Sequence, residues 1–170
     1  MFGVDVVIRP ATPTDASSIA AIYNHYILHT IITFEETPVT EEEMLGRMQE
    51  VQGEFPWLVH DNDGVVEGYA YAAKWQARSA YRFGAGTTIY LHPDKTGKGL
   101  GAPLYSVLLD DLRVRGLHTA IAGIALPNPG SVAIHERMGF TKVAHLREVG
   151  WKFNQWIDVG YWQLMLNAAC

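Results

Sequence analysis

The sequence predicts a mixed α/β fold, a sheet of several strands with helices on its faces, spanning residues 1–170 as one domain. Three observations carry this. Short β-branched and aromatic runs alternate with stretches whose apolar residues recur at helical spacing. The segments follow the order β-α-α-β-β-β-α-β-α-β-β, which suits a layered sheet and not a bundle. A chain of 170 residues with 48% hydrophobic residues can bury a proper core.

Val4 to Arg9 reads as the first strand. Thr12 caps a helix, with Pro13 at its first position and Asp15 three residues after the cap. Ala16, Ile19, Ala20, Tyr23, Tyr26 and Ile27 share one face and are expected in the core. Thr30 to Pro38 reads as a loop containing Thr33-Phe34-Glu35. Thr40 and Glu43 form a capping box for a second helix, whose first turn holds Glu41 and Glu42 as well. Pro56–His60 and Val65–Tyr71 form a hairpin around Asp61-Asn62-Asp63-Gly64. Trp75 to Tyr81 is irregular, and Phe83 to His92 is a central strand. A helix from Leu100 ends at Arg115-Gly116, followed by a buried strand from Thr119 to Leu126. Asn128 caps a helix that runs to Met138 and stops at Gly139. Phe140–Arg147 and Val159–Leu166 are expected to close the sheet, with Gly150–Ile157 as an aromatic loop between them.

Composition narrows the partners. The net charge of −5 argues against non-specific nucleic-acid binding, which needs a basic surface. No apolar run approaches membrane-spanning length, and residues 1–9 do not read as a signal peptide. The single cysteine, Cys170, allows no internal disulfide, as expected of a cytoplasmic protein. His25 and His29 are four apart on one helix, but Tyr26 stands where a metalloprotease keeps Glu and no third ligand is evident, so no metal is expected.

The chemistry centres on Ile89-Tyr90-Leu91-His92-Pro93-Asp94-Lys95-Thr96-Gly97-Lys98-Gly99-Leu100-Gly101-Ala102. A strand, a glycine-rich bend and a helix start together make a phosphate cradle: backbone N–H groups converge and the helix N-terminus adds partial positive charge. Lys98 could add a full charge. The bend is no Walker loop, because Gly99 and not Ser or Thr follows Lys98, and it fits the dinucleotide fingerprint poorly. By itself it is equally a flexible loop before a helix.

In context the loop resembles the pyrophosphate loop of the GNAT superfamily of N-acetyltransferases, Arg/Gln-x-x-Gly-x-Gly/Ala, with Gly99 and Gly101 matching and Thr96 departing at the Arg/Gln position. A second block, Asn128-Pro129-Gly130-Ser131-Val132-Ala133-Ile134-His135-Glu136-Arg137-Met138-Gly139-Phe140, resembles that superfamily's Asn…Tyr-Glu…Gly-Phe segment, with His135 at the usual Tyr. Further blocks resemble the phosphinothricin and methionine-sulfoximine acetyltransferases across about residues 6–166, among them Phe55-Pro56-Trp57-Leu58-Val59, Trp75-Gln76-Ala77-Arg78-Ser79-Ala80-Tyr81 and Trp156-Ile157-Asp158-Val159-Gly160-Tyr161-Trp162-Gln163-Leu164.

The resemblance implies a GNAT fold, α/β (α+β), with a mixed, mostly antiparallel, splayed sheet and helices on both faces. It implies acetyl-CoA as cosubstrate, held by Tyr90, Leu91, Thr96, Gly97, Lys98, Gly99, Leu100, Gly101, Ala102, Asn128 and Ser131. Catalysis would fall to Tyr90, through its backbone neighbourhood, and to His135 as proton donor to the departing thiolate. Phe34, Arg78, Tyr81, Tyr105 and Val159 would contact a small amino-acid-like acceptor, Val159 reaching a partner's site in a homodimer. Arg78 suits a carboxylate or phosphinate by its planar fork. One departure stands out. The family places an acidic general base four residues before Tyr90, and here that position is Gly86. The alternative function is therefore an acyl-CoA-binding protein that lost its base.

Overall fold

The computed structural model describes residues 6–166. Its elements are β1 (Val6–Pro10), α1 (Ala16–His29), α2 (Glu41–Gln52), β2 (Trp57–Asn62), β3 (Val65–Lys74), β4 (Gly84–Leu91), α3 (Gly101–Val114), β5 (Thr119–Leu126), α4 (Pro129–Arg137), β6 (Thr141–Lys152) and β7 (Gln155–Met165). Val4 and Asp5, in the expected first strand, and Cys170 lie outside the described residues. The order of elements is the one expected.

The seven strands form one sheet in the order β1-β2-β3-β4-β5-β7-β6. Every pairing is antiparallel except β4 with β5. Strand alternation sends side chains to two separate cores. Trp57, Val59, Tyr69 and Tyr90 meet α1 and α2 on one face, while Leu58, Ala70, Ala72, Ala85, Ala120 and Ala122 meet α3 and α4 on the other. The alanines let α3 approach closely, so that Leu104, Leu108 and Leu112 are fully buried, each stabilising by about 1.5–3 kcal/mol. The six residues expected on the inner face of α1 are all buried.

Local chemistry sets the helix starts. The Asp15 carboxylate accepts the Thr12 N–H at 2.7 Å and one 3₁₀ turn, Pro13–Asp15, precedes α1. Arg9 binds the same carboxylate and holds it below the usual range. At α2 the Thr40 hydroxyl accepts from the Glu43 N–H and the Glu43 carboxylate accepts from the Thr40 N–H, a complete capping box.

The end of the chain differs from expectation. Gly150–Ile157 is not a loop: β6 runs on to Lys152, β7 begins at Gln155, and the two form a tight hairpin. Phe153 and Asn154 turn it with φ of 52° and 56°. Two left-handed residues give the type I′ twist that strands prefer, and no Asn-Gly pair announces it in the sequence. Glu148, also at positive φ, sits where the β6–β7 register shifts between Leu146 and Gly150.

Candidate active site

Strands β4 and β5 pair only at Gly84–Thr119, Ala85–Ala120 and Gly86–Ile121 and then diverge. The wedge they leave is a cleft of about 570 Å³, walled by Thr87–Leu91 of β4 and Ala122–Ala125 of β5 and closed by the glycine loop and α4. That volume suits an extended ligand with an apolar arm. Tyr26 of α1 pins the end of β4, donating to the Leu91 carbonyl at 2.6 Å.

The loop after β4 is built from backbone. Its base is tied to β3: Lys95 pairs with the buried Glu67 at 2.6 Å, and Asn62 donates to the same carboxylate. These two partners hold Glu67 below its usual pKa. Gly97 and Gly99 have φ of 72° and 82°, and a Cβ on either would meet open space. The two left-handed residues aim successive N–H groups outward into a concave nest, next to the start of α3. At Gly101 a Cβ would sit 2.8 Å from Ile134 Cδ1, so glycine there lets α3 and α4 close together. Asn128 Oδ1 caps α4 through the Ser131 N–H. A set of neutral N–H donors at two helix starts, with room around it, fits the pyrophosphate of acetyl-CoA.

Most of the expected cosubstrate residues meet here: Tyr90, Leu91, Thr96, Gly97, Gly99, Gly101, Ala102, Asn128 and Ser131 all line the cleft. Lys98 and Leu100 do not, and Lys98 is exposed on the outside of the loop. The cation that does line the cleft is Arg137, at the end of α4.

His135 also lines the cleft, 3% exposed and edge-on to Tyr105 and Phe140. Its Nδ1 lies 2.7 Å from the Ser131 carbonyl, so Nδ1 carries the proton, and Nε2 is buried with no partner. Burial pulls its pKa down. That shift favours the neutral ring near pH 7, with the Nε2 lone pair free to accept. Tyr90 is the opposite case, since burial raises its pKa and keeps the phenol protonated. Tyr105 lies behind the cleft wall, fully buried, with its hydroxyl 2.6 Å from that of Thr87.

The expected acceptor residues are scattered. Phe34, Arg78, Tyr81 and Val159 are not in the cleft wall. Phe34 is not core: it is 41% exposed and lies on Gly150, where a Cβ would overlap its ring. Arg78 caps an exposed 3₁₀ turn, Ser79–Tyr81, that ends in Tyr81, and Val159 sits mid-strand opposite Ala125 and Leu146. Gly86 has no left-handed φ, and a Cβ there would touch only Trp75 Cε3 at 3.8 Å and Ala73 O at 3.9 Å. No Asp or Glu lines the cleft. Glu35 is held by both Arg47 nitrogens at 2.6 and 3.0 Å and by the Tyr23 hydroxyl, an arrangement that sequence reading missed. Among the described residues no cluster of three or more His, Cys, Asp or Glu could hold a metal, and no helix is long and apolar enough to cross a membrane.

Known proteins agree with this geometry. Residues 8–160 match the family model of the acetyltransferase (GNAT) domain. A phosphinothricin N-acetyltransferase of Streptomyces viridochromogenes is 40% identical, over 93% of this chain and 86% of its own. An L-methionine sulfoximine/L-methionine sulfone acetyltransferase of Salmonella typhimurium is 37% identical, over 95% of each chain. The crystal structure of a phosphinothricin acetyltransferase from Sinorhizobium meliloti in complex with acetyl-CoA superposes with a TM-score of 0.91 at 36% identity, over 94% of this chain and 88% of that one. The chain belongs to the GNAT acetyltransferases and is an N-acetyltransferase with acetyl-CoA as its cosubstrate.

Proposed function

We propose that this enzyme acetylates the amino group of a small amino-acid-like acceptor, of the phosphinothricin or methionine-sulfoximine type, by direct transfer. The names of its relatives support the acceptor class. The observation that carries the reading is the splay of β4 from β5 with a left-handed glycine nest at its mouth.

Acetyl-CoA supplies an activated thioester; the rest falls to this chain. The Gly97–Gly101 nest and the capped start of α4 bind phosphate. Backbone N–H groups near Tyr90 and Leu91, in the part of β4 that has left β5, polarise the acetyl carbonyl. Arg78, exposed at the start of a short turn, takes the acceptor's acid group, with Tyr81 and Phe34 as further contacts. His135 enters the reaction neutral and assists the thiolate only after it has gained a proton. No side chain stands at Gly86 to take the proton of the amine, so the acceptor has to arrive as the neutral amine.

The chain acts as one acetyltransferase domain, in the cytoplasm, and as a homodimer. Support for the dimer is the face of the β6–β7 hairpin: Val149 and Trp151 on the edge strand β6, Phe153 in the turn and Trp156 on β7 are all more than half exposed, and an aromatic patch of that kind fits a second copy. Light scattering should give twice the chain mass.

The test is steady-state CoA release with phosphinothricin, methionine sulfoximine and a panel of amino acids and polyamines. Saturable turnover of an amino-acid acceptor is expected. Tight acetyl-CoA binding with no turnover across the panel would instead identify the acyl-CoA-binding protein that Gly86 suggests.

A further inference from the structure

Lys152 is the one lysine among the described residues that is fully buried, at 1% exposure. It sits at the end of β6, the edge strand of the sheet, where the hairpin to β7 turns. Its ammonium donates to the Thr33 carbonyl at 2.8 Å, across 119 residues of chain, and lies 5.1 Å from the centre of the Phe153 ring. Burial pulls its pKa down, and Glu36 opposes that. An ammonium with three protons and one neutral carbonyl is poorly compensated for leaving water. A methionine would fill the same space at less cost, so the charge calls for an explanation in what it holds.

What it holds is a strap. Residues 30–38 have no helix or strand of their own, and Ile32 among them lines the cleft. Three contacts fix them. Lys152 takes the Thr33 carbonyl, the Phe34 ring rests on Gly150, and Glu35 is gripped by Arg47 and Tyr23. Two of these come from the same stretch of β6. The Thr33 hydroxyl meets that of Tyr23 at 2.8 Å, and the Tyr23 ring packs edge-on against Tyr90, which lines the cleft. The strap thus joins the hairpin to the cleft through Thr33.

We propose that Lys152 is a positioning residue for the acceptor half of the site: it holds Thr33 in place so that the strap presents Phe34. The proposal rests on the reading of Phe34 as an acceptor contact. It assigns the hairpin a part in the acceptor's affinity and none in that of acetyl-CoA.

Amide hydrogen exchange of wild type, Lys152→Met and Lys152→Gln tests the strap without any assay of activity. Peptides covering 30–38 should exchange about tenfold faster in Lys152→Met, with β4 and α3 unchanged, and Lys152→Gln, which keeps a neutral donor, should fall between. Initial rates should show the acceptor KM raised about fivefold or more with the acetyl-CoA KM unmoved, again with partial rescue by Gln. Unchanged strap exchange in either folded variant overturns the proposal. So does faster exchange spread evenly over the whole sheet, which would mark Lys152 as a merely structural residue; should Lys152→Met fail to fold, the Gln variant decides alone. If wild type acetylates no amino acid, the proposed function falls, and the exchange result still decides whether Lys152 orders the strap.

Discussion

The two halves of the cleft are built in different ways. The acetyl-CoA half is made of backbone from one continuous stretch, the end of β4, the Gly97–Gly101 bend and the start of α3, with the capped start of α4 beside it. The proposed acceptor half draws on side chains from distant places, none of them in the cleft wall: Phe34 on a strap, Arg78 and Tyr81 at a turn, and Trp75 over Gly86, with the Lys152 hairpin contact proposed to hold the strap. The first half is local: two left-handed glycines and a helix cap build it from near neighbours in the chain. The second depends on long-range contacts and has a glycine, Gly86, and no carboxylate on its strand. Substitutions on the two sides should therefore separate cleanly, acetyl-CoA affinity following the loop and acceptor chemistry following everything else.

The largest expected effect lies on the acceptor side. Gly86→Glu restores a carboxylate beside the acceptor, and a positioned base contributes roughly 10²–10⁴-fold. The backbone there is not left-handed and a Cβ meets nothing closer than 3.8 Å, so the strand tolerates the change, although Trp75 has to yield to the longer side chain. Turnover at pH 7 should rise about a hundredfold with a flatter pH profile, the low end of the range for a positioned base. A fall in turnover with acetyl-CoA affinity intact would mean that the acceptor itself uses the space at Gly86.

Gly99→Val is the counterpart on the other side. It puts a β-branched residue at φ 82° and bulk on the nest. The acetyl-CoA dissociation constant should rise at least about tenfold, or 1.4 kcal/mol, by calorimetry, and the melting temperature should fall as well, because valine adopts that φ only under strain. Equal affinity in the folded variant would sever the loop from phosphate binding.

Arg78→Lys is smaller. The guanidinium is exposed, so stability should not change. Losing the bidentate fork should raise the acceptor KM about three- to fivefold and leave the acetyl-CoA KM alone. A shift in both constants would blur the division between the halves.

The smallest effect belongs to His135. Its folded pKa lies below the ordinary value of 6.5 because it is buried. Below that value the unfolded chain takes up the proton first, so stability rises with pH up to about 6.5 and is level above it. Urea midpoints from pH 5 to 7.5 should show that slope in wild type and lose it in His135→Gln. A midpoint that rises on acidification would mean that the imidazole is charged in the folded state.

How far the sequence could be read follows the same division. The glycine nest, the Asn128 cap and the order of elements are local, and turn chemistry and periodicity expose them. The hairpin tip escaped because Phe153 and Asn154 adopt left-handed φ with no glycine to signal it. Lys152 gave no sign of burial, since a lysine on an edge strand is ordinarily solvated. Glu35 with Arg47, and Trp75 with Tyr161, meet only through the fold. Lys98 looked like the cation of the loop because it stands among its glycines, yet Arg137, from α4, is the one that reaches the cleft.

The pH dependence of kcat/KM for the wild-type enzyme, with methionine sulfoximine as acceptor and saturating acetyl-CoA, tests the central claim most directly. With an intact acetyl-CoA half and no base at Gly86, turnover should be saturable and log kcat/KM should climb steadily from pH 5.5 to about 9, following the neutral amine. A profile that levels off between pH 6 and 7 would show that another group already takes the proton, and this account of the acceptor half would be wrong.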